Sequence, residues 1–257
     1  MHYFIIGIAA FLTSLLTLFS GFGLGTLLMP VFAIFFPVKL AVGMTAIVHF
    51  FNNMFKLVLF GKHASKSIVF KFGIPAILGS LLGAFTLIHL SGLPPLLTFP
   101  FANHEAHVTL IKLVVAFLMI GFAVIELLPR FQSMSFNQKY ISTGGLVSGF
   151  FGGISGHQGA LRSAFLIRCN LPKASFIASG VVIACLVDLT RLSVYASHLA
   201  KGGISSNIQL IGCATLFAFL GIWTGNRFIE KVTMKSVQVV VSILLILIAM
   251  ALGAGVI

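Results

Sequence analysis

Apolar residues run along the chain in long unbroken stretches, separated by short polar or glycine-rich ones. Strand-like alternation is absent, so the pattern predicts helices; runs of roughly 20 residues can cross a hydrocarbon core of about 30 Å. The runs fall at 3–20, 25–36, 40–61, 68–90, 108–128, 140–155, 160–170, 174–199, 207–228 and 236–256. The longest loop, 91–107 ("SGLPPLLTFPFANHEAH"), carries three prolines and no Lys or Arg. The opening "MHYFIIGIAAFLTSLLTLFSG" has no basic n-region and no small-residue cleavage site, and is read as a retained helix.

The second and seventh runs are too short to span. About 11 residues each cover roughly 17 Å, half a membrane. Run two follows "GFGLG" (21–25) and run seven follows "GGISGHQGAL" (152–161). Glycine is a poor helix former, so each break predicts the end of one half-helix and the start of another. The result is two hairpins that dip into the membrane.

An internal repeat points the same way. "FNNMFKLVLFGKH" (51–63) aligns with "LVDLTRLSVYASH" (186–198) at an offset of 135. Asn53 falls on Asp188, Lys56 on Arg191, His63 on His198, Gly21 on Gly156 and Pro37 on Pro172. Each half then holds one hairpin followed by three crossings.

Charge tests the hairpins. With each hairpin going in and back out, one face collects Lys62, Lys66, Lys71, Arg130, Lys139, Arg168, Lys173, Arg227, Lys231 and Lys235. The other has only Lys39, Lys112 and Lys201. Ten against three is a positive-inside bias; with each hairpin as one plain helix the split is seven to six, which is none. The predicted fold is an all-α polytopic membrane protein of two inverted repeats, 1–130 and 131–257, in one integrated membrane domain. Both termini lie outside, in a bacterial cytoplasmic (inner) membrane. Inverted repeats are a transporter architecture.

Composition agrees: 59% of residues are hydrophobic and 8% charged, with a mean hydropathy of +1.14. The formal charge of +12 is not a nucleic-acid signature, because the basic residues sit in short loops between apolar runs. Cys169, Cys185 and Cys213 are far apart within apolar segments and form no disulfide framework or zinc spacing. Gly79 with Gly83, and Gly221 with Gly225, have the small-xxx-small spacing of close helix packing. Packing within one monomer and packing across a homo-oligomer both stay open.

Three basic residues remain outside the loops: Lys56, Arg162 and Arg191. A half-helix starting at mid-depth points free N–H groups and a positive dipole end into its surroundings, an anion site. Two such starts are predicted, after Gly25 and after Gly159. Buried cations mark pathways, and arginine's planar fork suits oxyanions. Asp188 and Arg191, at i and i+3, can pair as an internal salt bridge, but that leaves Lys56 and Arg162 without a carboxylate, since Glu105, Glu126 and Glu230 lie in loops or at segment ends. The candidate anion-binding set is Arg162, Arg191, Lys56, Asn53, Asn52, Gln158, His157, Gly25 and Gly159. Thr26 and Ser163 lie on the same segments. Asp188 and His157 are the candidates for coupling to a driving ion. His49, one turn before Asn53, is placed to face the same cavity, with helix packing as the favoured reading. "NHEAH" (103–107) is read as an exposed loop rather than a metal cluster. No nucleophile with a paired base, P-loop or dinucleotide fingerprint appears, so the reading is of a protein that is not an enzyme and takes no cofactor or metal.

With the glycine-rich break, "LLMPVFAIFFPVKLAVGMTA", a polar helix and a glycine-spaced helix, repeated once, the chain resembles the sulfite exporter TauE/SafE family over nearly its whole length. The resemblance implies transport of sulfite, thiosulfate or an organosulfonate. The first break is less glycine-rich than that family's, and His157-Gln158 stands where glycines are expected. The leading reading is a secondary transporter whose partners are a small anionic substrate and the lipid bilayer, with no nucleic acid. A passive anion channel or uniporter, and a non-transporting membrane subunit, are the alternatives.

Overall fold

The computed structural model describes residues 2–17, 24–101, 104–128, 135–201, 204–228 and 234–257. Gly21, Asn103, Arg130, Glu230, Lys231 and the boundary drawn at 130/131 lie outside the described residues, as do the side chains of Thr26, Glu126 and His198.

Helices carry the described fold. The first half holds α1 (His2–Thr17), α2 (Leu24–Ala33), α3 (Val38–Phe60), α4 (Lys66–Ser91) and α5 (Leu110–Leu127). The second holds α6 (Ile141–Ser155), α7 (Gly159–Leu166), α8 (Lys173–Lys201), α9 (Ile208–Phe228) and α10 (Met234–Gly253). Among the described residues four helical spans are long and apolar enough to cross a membrane: Val38–Leu59, Lys66–Ser91, Lys173–Ala196 and Ser205–Gly225. α5 and α10, expected as crossings, contribute the shorter apolar stretches Leu110–Ile125 and Ser242–Gly253. Apolar side chains such as Val58, Phe117 and Phe4 face outward, 83%, 76% and 70% exposed.

The short second and seventh runs are short helices. α2 has 10 residues and α7 has 8, about 15 and 12 Å at 1.5 Å per residue. α6 ends because Gly156 takes the left-handed conformation (φ 82°), where a Cβ would be strained. Its N–H closes the last turn on the Gly152 carbonyl at 3.0 Å. Pro37 and Pro172 stand directly ahead of α3 and α8, where a missing N–H costs nothing.

Two features were not visible as expected. α4 contains a π-helical stretch, Val69–Gly73, just ahead of Pro75. Such a bulge accommodates a ring that has no N–H to give to the preceding turn. The loop 91–107 is not irregular throughout: Leu97–Phe101 (β1) pairs antiparallel with His104–Val108 (β2), from Leu97↔Val108 to Phe101↔His104. Its prolines hid the strand, and Pro100 sits where a two-stranded ribbon tolerates it. The hairpin is tied down where His107 N–H donates to Gly255 O at 3.2 Å and Lys112 Nζ donates to His107 O at 3.0 Å.

The helix contacts exchange between the halves. α4 packs along α6 as α9 packs along α1, and α3 meets α9 as α8 meets α4. α3 against α8 and α5 against α10 cross from one half to the other. The α4–α6 contact is backbone on backbone: a Cβ on Gly79 or Gly83 would overlap the Leu146 or Phe150 carbonyl, and one on Gly149 the Ala76 carbonyl. Between apolar helices in lipid, such close packing is the main source of association.

Gly149→Ala should therefore destabilise the fold by about 1–3 kcal/mol. Gly121→Ala, whose added Cβ meets nothing within 4 Å, should stay within about 0.5 kcal/mol. Thermal unfolding of the two variants in detergent checks the contrast.

Candidate anion site at the helix breaks

The site is built on the crossing of α3 and α8. On α3, His49, Asn52, Asn53 and Lys56 recur at helical spacing and share one side; all four are buried. On α8, Asp188, Arg191 and Tyr195 do the same, and Asp188 and Arg191 are fully buried. Ser65 N–H donates to Ser179 Oγ at 2.9 Å and fastens the far end of the crossing.

Asp188 is the hub. Its Oδ1 accepts from Arg191 Nε at 3.0 Å and Nη2 at 2.8 Å. Its Oδ2 lies 2.6 Å from His49 Nδ1. An ionised carboxylate only accepts, so Nδ1 carries the hydrogen. Asn53 Nδ2 lies 3.3 Å from His49 Nε2 and 3.5 Å from Asp188 Oδ2. The internal salt bridge foreseen between Asp188 and Arg191 is present.

Arg191 reaches further. Its Nη1 donates to Gly152 O at 3.2 Å, and Tyr195 OH donates to Gly153 O. The interrupted α6 leaves its last carbonyls without a following turn. A cation and a phenol supply the donors, and the cation also suits the negative end of the helix dipole.

The break itself is polar and enclosed. Ser148 Oγ donates to Gln158 O at 3.0 Å, and His157 Nδ1 donates to Ser155 O at 3.1 Å. The His157 ring stacks on Phe122, with centroids 5.6 Å apart and planes at 9°. α2 begins against this break: a Cβ on Gly25 would lie 3.1 Å from Gly156 O and 3.6 Å from the His49 ring. The start of α2 and the second break thus meet at His49.

Several buried polar atoms have no hydrogen-bond partner among the described residues: Asn52 Nδ2, His157 Nε2, and both Gln158 Nε2 and Oε1. Asn52 turns towards α1, where Ser14 Oγ donates to its Oδ1 at 2.9 Å. Buried polar groups are normally satisfied, so unpartnered ones point to a missing ligand or water.

Arg162 and Lys56 form the other end of the cluster. Arg162 is in the first turn of α7, and its Nε passes 3.4 Å from where a Cβ of Gly180 would stand. It lies within electrostatic reach of Asp188 and Cys185, and Lys56 lies within reach of Arg162. Among the described residues the cluster holds three buried cations and one buried carboxylate, a formal +2 with neutral histidines.

Of the two roles open to His49, the structure shows the polar one: its ring bonds to Asp188. Its place at i−4 from Asn53 and i−7 from Lys56 was the available signal. Tyr195, Ser14 and Ser148 were also missed, because each acts on a partner distant in sequence. Arg191 is committed at all three nitrogens, whereas the sequence placed it among the anion ligands. His107 faces Thr98 across the hairpin (Nδ1 to Oγ1, 3.1 Å). Cys169, Cys185 and Cys213 are free thiols.

The family model described as Sulfite exporter TauE/SafE matches residues 6–252. No curated protein and no solved structure matches the chain.

Removing one member of a buried ion pair strands the other. Asp188→Asn or Arg191→Gln alone should each destabilise the protein by about 3–5 kcal/mol. The double variant should lose less than the two added together, with a coupling of about 1–3 kcal/mol. Denaturant unfolding of the four proteins in detergent measures it.

Proposed function

The chain belongs to the sulfite exporter TauE/SafE family, a family of membrane transporters, and from that premise we propose that it is a secondary carrier for a small, doubly charged sulfur oxyanion such as sulfite or thiosulfate. The observation that carries this reading is the charge of the buried centre. The chain has four acidic residues, and among the described ones Asp188 is the carboxylate inside the α3–α8 cluster, with Lys56, Arg162 and Arg191. A dianion neutralises the remaining +2; a zwitterion such as taurine does not.

Roles follow from position. Lys56 and Arg162 attract the anion, with Arg162 offering a planar fork. The α7 start at Gly159 and the α2 start at Gly25 add backbone N–H groups. Asn52, Gln158 and His157 bring buried polar atoms to the breaks. Arg191 holds Asp188 and the end of α6 in place. The exchanged helix contacts support reading the halves as an inverted repeat that rocks about the α3–α8 crossing, exposing the site to one face and then the other. The lysine-rich loops face the cytoplasm and both termini face outward, as the charge bias requires.

The test is charge movement in proteoliposomes on a solid support, with sulfite, thiosulfate, sulfate, taurine, sulfoacetate and chloride. A saturable signal for the dianions is expected. Lys56→Gln and Arg162→Gln should each raise the half-saturating concentration about 10–100-fold, the loss of one charge-assisted hydrogen bond. A current that grows with voltage without saturating would make the protein a channel. Silence for every anion, with no uptake of labelled anion either, would overturn the proposal.

A further inference from the structure

We infer that the His49–Asp188 pair is a proton-binding site, and that a proton taken up at His49 Nε2 travels with the anion as the coupled co-substrate. The inference rests on the carrier reading, but on different atoms from those proposed to hold the anion.

The tautomer sets the direction. With Nδ1–H donated to Asp188 Oδ2 at 2.6 Å, the lone pair of Nε2 is the free basic site of the ring. Asn53 Nδ2 lies 3.3 Å from Nε2 and 3.1 Å from Nδ1, against the face of the ring rather than in line with the Nε2 lone pair. The carboxylate is already in place, so a second proton on the ring turns the hydrogen bond to Asp188 into an ion pair. His49 is the accessible member: its side chain is 11% exposed against 0% for Asp188.

Of the charged groups around His49, Asp188 favours a second proton on the ring, while Arg191 and Lys56 oppose it. From α8 come Asp188 and Arg191, and Arg191 is itself neutralised by Asp188. From its own helix comes Lys56. α2 brings the backbone of Gly25, and α9 offers Cys213 among its described titratable side chains. His157 lacks this arrangement. Its Nδ1 is bonded to the Ser155 carbonyl, its ring lies on Phe122, and the nearest charge acting on it is Arg191. A second proton there would meet repulsion.

Location makes the pair a coupling device. His49 belongs to the first half and Asp188 to the second, and the His49 ring touches the start of α2. A proton entering from one face therefore tightens the bond between halves, and its release to the other face loosens it. No bond other than N–H forms or breaks.

The test uses full-length protein in liposomes loaded with a pH-sensitive dye. In wild type, an inward sulfite or thiosulfate gradient should acidify the lumen, and an imposed pH gradient should drive accumulation of labelled anion; alkalinisation would overturn the co-transported proton. His49→Gln keeps a donor for Asp188 but cannot take a proton. It should lose at least about tenfold of the pH-driven accumulation while anion–anion exchange stays within about threefold. Retained pH-driven accumulation in His49→Gln would overturn the proton site. Should that variant not insert, the wild-type dye signal decides: exchange without any proton movement overturns the inference and leaves the carrier standing. Absence of both exchange and uptake in wild type would instead overturn the carrier reading.

Discussion

One carboxylate organises the centre of this protein. Asp188 is buried on α8 and binds Arg191 through one oxygen and His49 through the other. Through Arg191 it reaches the carbonyl end of α6; through His49 it reaches α3 and the start of α2. A lone buried charge would cost several kcal/mol. Divided between a guanidinium and an imidazole, it instead fixes two helix ends and the crossing between the halves. Among the described residues Asp188 is the one buried carboxylate beside three buried cations, Lys56, Arg162 and Arg191.

The excess has a structural boundary. Arg191 lies at the Asp188 end, where its nitrogens are all engaged. Lys56 and Arg162 lie further along the same crossing, toward Gly180 and Cys185. A charge-balanced end and a cationic end therefore sit side by side on one helix pair. The first ties the carbonyl end of α6 to the crossing through Arg191. Removing lysine charge from the loops would not alter this division, because loop charges are screened by water and salt.

Much of this was legible in the sequence. Run lengths predicted α2 and α7 as half-length helices, and the offset of 135 put Pro37 and Pro172 at equivalent helix starts. Those signals are local: run length, glycine and proline. What stayed hidden depends on which way a side chain turns. His49 and Arg191 both lie on the predicted polar faces, yet periodicity does not say that one bonds to Asp188 or that the other caps α6. Nor does it show that Asn52 and Asn53, adjacent in sequence, serve α1 and α8 respectively. The β1–β2 hairpin was masked by its prolines. The π-helical stretch before Pro75 leaves no mark in hydropathy.

The α4–α6 contact has a mechanical meaning beyond close packing. Where two helices interlock through large side chains, displacement of one along the other requires each knob to leave its hole and change rotamer. Here Gly79, Gly83, Gly145 and Gly149 bring bare backbone against carbonyls of the neighbouring helix. With no side chain between the two backbones to give way, the seam holds or opens only as two whole helices.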